Sequence, residues 1–170
     1  MSQQFLTIAV LTVSDTRTLE NDTSGNYLEK ALVEAGHTLS HRLLVKDDIY
    51  DIRAVVSEWI ASNDIQVVLI TGGTGFSGRD STPEAIIPLL DKTVDGFGEL
   101  FRHVSYEEIG TSTIQSRALA GLANKTLVAC MPGSTGACRT AWEKLLKDQL
   151  DSTHKPCNFV GVLSAPRANS

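Results

Sequence analysis

No apolar run in this 170-residue chain approaches the roughly 20 residues a membrane-spanning helix needs. The first residues, MSQQFLTIAV, contain no basic segment followed by an apolar stretch and a cleavage site. The expectation is a soluble cytoplasmic protein without a membrane partner. Positive charge is scarce as well: 15 Lys and Arg stand against 20 Asp and Glu, a net charge of −5. That balance disfavours affinity built by neutralising many phosphates, so no nucleic-acid partner is expected. Cysteine is limited to Cys130, Cys138 and Cys157, which form neither an even disulfide framework nor a closely spaced zinc-ligand pair. A reduced compartment follows, and Cys130, inside the apolar run TLVACM, reads as a core residue. No cysteine is given a role. His37, His41, His103 and His154 are scattered without ligand spacing and read as surface residues. Internal repeats and low-complexity blocks are lacking too.

What is present suffices for one core: 42% of residues are hydrophobic, enough for a single domain spanning 1–170. TIAVLTV (7–13), IQVVLIT (65–71) and TLVACM (126–131) are short, β-branched and unalternating, as strands buried on both faces are. Between them, Leu28, Ala31, Leu32 and Ala35 form one helical stripe, and Ile52, Val55, Val56, Trp59 and Ile60 another. Gly36 stops the first helix, and TLSHRLLV (38–45) supplies a more peripheral strand. Helices are also predicted over residues 95–109 and 134–150, and the tail from Asp151 reads as irregular, wrapping a neighbour or losing order at its end. Strands alternating with helices predict an α/β fold: a mostly parallel sheet covered on both sides, with ligands beyond the carboxyl ends of its strands.

That edge carries the strongest motif. In VLITGGTGFSGRDSTPEA, Gly72, Gly73, Thr74 and Gly75 directly follow a buried strand, where glycines let backbone N–H groups approach a phosphate. The stretch from Gly73 to Gly78 satisfies G-x-G-x-x-G, yet it follows the third strand and runs into charged residues, so the dinucleotide fingerprint is rejected. A Walker loop is rejected as well, because Arg79-Asp80 stands where Lys-Ser/Thr is required. Thr82-Pro83-Glu84 is a helix start with Thr82 able to cap. Asp80 just ahead of it serves either as a Mg²⁺ ligand on a triphosphate or as a loop hydrogen-bond acceptor; spacing does not choose. Pro132-Gly133-Ser134 opens a second helix after a buried strand, with capping by Ser134 the simpler role and anion binding the other. Ser14-Asp15 and Asp47-Asp48 end the first two strands in the same position, so four strand ends carry polar residues.

TGGTG, RDSTPEA, GFGELFR, SRALAG and MPGS, in this order, resemble the MoaB/Mog family of molybdenum-cofactor proteins from about residue 7 to 150. The resemblance implies a three-layer α/β/α fold, assembly as trimers or hexamers, and binding of molybdopterin. It further implies adenylylation of molybdopterin's terminal phosphate with Mg²⁺ and ATP, or, in a non-catalytic member, carriage of the pterin alone. Two family carboxylates required for turnover match Asp80 and Asp47; Lys46 stands where the family often has proline, and Asp48, next in the chain, is the alternative to Asp47. Both carboxylates are thereby implied as catalytic residues and metal ligands. The implied phosphate-binding set for nucleotide and pterin is Ser14, Asp15, Gly72, Gly73, Thr74, Gly75, Pro132, Gly133 and Ser134. Trp142 and Phe97–Phe101 are expected to supply apolar anchors for self-association.

Overall fold

The computed structural model describes residues 2–167. Strand β1 (Thr7–Val13) leads into helix α1 (Thr23–Glu34), edge strand β2 (Thr38–Val45), helix α2 (Ile49–Ala61) and central strand β3 (Val67–Thr71). There follow α3 (Thr82–Ile86), β4 (Lys92–Thr93), α4 (Asp95–Ile109), β5 (Leu119–Ala123) and β6 (Thr126–Met131). The chain closes with α5 (Thr135–Ala141), a π-helical turn (Trp142–Leu146), α6 (Lys147–Gln149) and α7 (Val160–Leu163). The strands form one six-stranded sheet in the order β2-β1-β3-β6-β5-β4. β2, β1, β3 and β6 run parallel; β5 is antiparallel to β6, and β4 is antiparallel to β5.

Alternate residues of the central strands face opposite cores. Ile8 and Val10 of β1 pack beneath α1, α4 and α5, while Ala9, Leu11 and Val13 pack against α2 and Ile86 of α3. Both faces exclude water, which explains the unbroken apolar runs. Helix starts follow local chemistry. The Asp22 carboxylate caps α1 by accepting from Gly25 N–H at 3.0 Å, and the Asp48 carboxylate caps α2 from Tyr50 N–H at 2.8 Å.

Several expectations need correction. The antiparallel pair β4–β5 was not predicted; LAGLA is too rich in small residues to announce a strand. The reversal between β5 and β6 uses Asn124 (φ 48°) and Lys125 (φ 60°), both left-handed, as a two-residue hairpin turn requires. The tail packs on its own domain: Val160 and Leu163 join the main core, and the Arg167 guanidinium donates to carbonyl oxygens of Ile60, Ser62 and Ile65. His37 is buried, its Nδ1 accepting from Leu6 N–H at 3.1 Å, and burial pushes its pKa below the usual histidine value. His154 is half-buried. Of the expected anchors, Trp142, Phe97 and Phe101 are 1%, 7% and 2% exposed and are taken up by the chain's own core, while Leu100 within Phe97–Phe101 is exposed. Beyond that segment, Tyr106, Ile109 and Ile114 are the exposed large apolar side chains of this region.

Candidate active site at the carboxyl edge of the sheet

β1, β3 and β6 end side by side, and their turns enclose a crevice of about 310 Å³. The turn after β3 is forced on glycine. Gly72 has φ 105°, and a Cβ there would lie 2.1 Å from the Val13 carbonyl oxygen. Gly73 has φ 67°, and its Cβ would meet the Thr82 hydroxyl at 2.3 Å. Both positions need left-handed backbone and close approach at once. The Gly72 N–H donates to the Met131 carbonyl at 3.0 Å and the Thr82 hydroxyl donates to the Gly72 carbonyl at 2.8 Å. Thr82 therefore braces the turn rather than capping α3, whose first residue it is; no side chain caps that helix.

Asp80 hangs over the turn. Its Oδ2 accepts from Ser77 N–H at 2.7 Å and sits 2.8 Å from where a Cβ on Gly75 would be. Hydrogen bonding from Ser77 holds the carboxyl below its ordinary pKa, against the opposing effect of burial. Arg117 fixes this loop from behind. Its Nε donates to the Gly75 carbonyl and its Nη2 to the Asp80 carbonyl, each at 2.8 Å, and its Nη1 pairs with Glu84. The guanidinium also covers the exposed Phe76 ring, 5.2 Å from its centroid.

Of the predicted residues, Ser14, Gly72, Gly73, Thr74, Gly75, Asp80, Pro132 and Gly133 line the crevice together. Asp15, Asp47 and Ser134 stand behind or beside it. Asp15 is gripped in a two-pronged pair by Arg79, both bonds 2.9 Å, and that hydrogen bonding brings its pKa down to about 2. Its Oδ1 also accepts from Asp47 N–H at 3.1 Å. Asp47 is 8% exposed, and its Oδ1 accepts from both the backbone N–H, at 2.9 Å, and the hydroxyl of Ser81. Asp48 is spent on capping α2. Ser134 caps α5, accepting from Ala137 N–H at 3.1 Å, and lines a second pocket of about 300 Å³ that shares Thr74 and Pro132 with the crevice. That pocket is walled by Phe101, Ser105, Glu108 and Thr140, the last two hydrogen-bonded at 2.8 Å.

Two arginines escaped the sequence reading. Arg17, in SDTR just past β1, lines the crevice; a cation four residues beyond a strand end was the available signal. Arg117 lay inside the SRALAG motif, but nothing local says that it reaches back more than forty residues to Gly75. Among the described residues, no three His, Cys, Asp or Glu side chains gather to hold a metal. A Mg²⁺ that arrives on phosphate oxygens needs only one or two protein carboxylates, and Asp80, ionised and facing the crevice, fits that requirement. Turned toward Ser81, Asp47 fits it less directly.

Comparison with known proteins agrees with this geometry. The family model described as a probable molybdopterin binding domain matches residues 9–152. Molybdenum cofactor biosynthesis protein B of Escherichia coli K12 is 61% identical over 152 residues, covering 89% of each chain. A crystal structure of a molybdenum cofactor biosynthesis protein B superposes with a TM-score of 0.85 at 45% identity, covering 88% of this chain and 94% of that one. The tungsten cofactor synthesizing protein MoaB from Pyrococcus furiosus superposes at 0.76 with 35% identity, covering 84% and 91%. With the family model matching most of its length and relatives this similar over nearly the whole of both chains, the chain belongs to the MoaB/Mog family of molybdenum-cofactor biosynthesis proteins.

Proposed function

We propose that this protein binds molybdopterin and Mg-ATP at the carboxyl edge of its sheet, in the cytoplasm and as a homo-oligomer of trimeric or hexameric form, and adenylylates the pterin phosphate. The observation that carries the reading is the crevice itself: three parallel strand ends bring two glycine turns and one ionised carboxylate, Asp80, around a single space. An oxygen of the pterin's phosphate monoester attacks the α-phosphorus of ATP. A new phosphoanhydride bond forms as the bond from the α-phosphorus to its β-bridging oxygen breaks, and pyrophosphate leaves. Mg²⁺ supplies charge neutralisation on the triphosphate when bound, with Asp80 as its protein ligand. The chain's own contribution is positioning and fixed dipoles: the turn 72–75 cradles one phosphate, the turn at Pro132 and Gly133 the other, and no protein nucleophile is required.

The test is Mg-ATP- and molybdopterin-dependent release of pyrophosphate. Asp80→Asn keeps the side chain's shape and loses its charge, so turnover is expected to fall about 100-fold or more while the fold and pterin binding persist. Equal rates in variant and parent would remove Asp80 from the chemistry. A second reading, a pterin carrier without turnover, is favoured by Asp47: its Oδ1 is committed to Ser81 and the residue is not part of the crevice lining. A parent that binds pterin tightly and releases no pyrophosphate would establish the carrier.

A further inference from the structure

We propose that Arg17 is the residue that recognises the phosphate of the acceptor, a pterin phosphate monoester, at the Gly133 side of the crevice; this rests on the reading of the crevice given above. Arg17 is the sole cationic side chain among the described residues lining that space, and its side chain is 31% exposed. It is held from behind. Its backbone N–H donates to Ser14 Oγ at 3.0 Å, and one guanidinium nitrogen, Nη1, donates to Ser24 Oγ at 2.8 Å. Ser24 in turn donates to the Gly133 carbonyl at 2.7 Å, so the guanidinium is tied to the second turn and not to the loop that carries Asp80.

The charge on Arg17 is available. The nearest carboxylate, Asp22, is fully buried, but it already has Arg42 at 3.1 Å, the Thr12 hydroxyl at 2.6 Å and the Gly25 N–H at 3.0 Å. Its contact with Arg17 Nη1 is long, 3.5 Å. No described group binds Nη2 or Nε of Arg17, so one edge of the planar fork is left for a ligand while the other edge fixes its direction. A guanidinium edge presents two parallel donors, the match for two oxygens of a terminal phosphate. Because the side chain is pinned before the ligand arrives, less rotamer entropy is lost on binding.

The two charged groups of the crevice therefore divide its ends. Asp80, over Gly75, suits the metal-bearing triphosphate; Arg17, beside Gly133, suits the dianion that carries no metal. A cation there also screens repulsion between the attacking phosphate and the α-phosphate.

The test uses the stable fluorescent oxidised pterin derived from molybdopterin, with and without its phosphate, titrated into the full chain. The parent is expected to prefer the phosphorylated form. Arg17→Ala should weaken that form about 10- to 100-fold, the range for a hydrogen bond to a charged group, and leave the dephosphorylated form within about twofold. Arg17→Lys, which keeps the charge and loses the fork, should recover part of the loss. In turnover, the KM for pterin should rise while the KM for Mg-ATP holds. A parent indifferent to the phosphate, or a loss in Arg17→Ala that is equal for both pterins or falls on Mg-ATP instead, overturns the assignment. A parent that shows the phosphate preference without releasing pyrophosphate would end the adenylylation reading and leave this one standing.

Discussion

The two ends of the same parallel strands have opposite characters. At the amino ends backbone groups are answered by side chains of the domain itself. His37 takes the Leu6 N–H, Gln66 Oε1 takes the Thr7 N–H at 3.0 Å, and the tail returns to cover the edge, with Gln66 Nε2 donating to the Leu163 carbonyl. At the carboxyl ends the chain turns on glycines that have no side chain to answer with, and nearby side chains brace the turns from behind instead of filling them. The difference teaches where the fold spends its polar groups: on closure at one edge and on holding an open space at the other.

The sharpest way to break the carboxyl edge is Gly72→Ala. A methyl there collides with the Val13 carbonyl and forces an alanine to φ 105°, so about 2–4 kcal/mol of stability should be lost, read from denaturant midpoints. A smaller loss would mean that β1 and β3 separate easily. Arg117→Ala should leave the melt nearly in place yet free the 75–80 loop; a drop of about tenfold in kcat, with pterin affinity retained, is expected if the arginine only positions Asp80. Loss of pterin binding in that variant would place Arg117 in the binding site itself. Ser134→Ala removes an ordinary helix cap and should cost about 1 kcal/mol, measured by thermal melts. A much larger fall in ligand affinity than in stability would give Ser134 a direct role.

The amino edge offers the gentlest probe. Folding holds His37 neutral with its pKa lowered, chiefly by burial and against the opposing charge of Asp151, whereas the unfolded chain takes up its proton near pH 6.5. The unfolded state therefore binds the extra proton first as pH falls below 6.5, and stability declines until the folded-state pKa is passed. Denaturant midpoints between pH 7 and 5 should show this slope, and His37→Gln should flatten it. An unchanged slope in the variant would assign it to other groups. The crevice, with no histidine in its lining, should feel none of it.

Much of this was legible in the chain itself. β1, β2, β6 and α4 lie at the predicted boundaries, because runs buried on both faces and stripes at helical spacing are local signals. The turn at Gly72 was equally legible, since glycine after a buried strand announces left-handed backbone. β5 was not, because LAGLA owes its strand state to β6 beside it and to the Asn124–Lys125 reversal. Likewise the burial of His37 depends on Phe5 and Trp142, distant in sequence, closing around it.

The sequence by itself determined the α/β class, the family and the edge at which to look, for periodicity and motif order are properties of the chain read in one dimension. Only the tertiary structure decided which charged groups face the crevice. Asp15 and Asp47 sit in sequence positions as promising as that of Asp80, yet Arg79 and Ser81 draw them aside, while Arg17, pinned by Ser24, is turned in. A side chain's direction is set by whichever partner the fold brings within about 3 Å, and that partner is often many residues away in sequence.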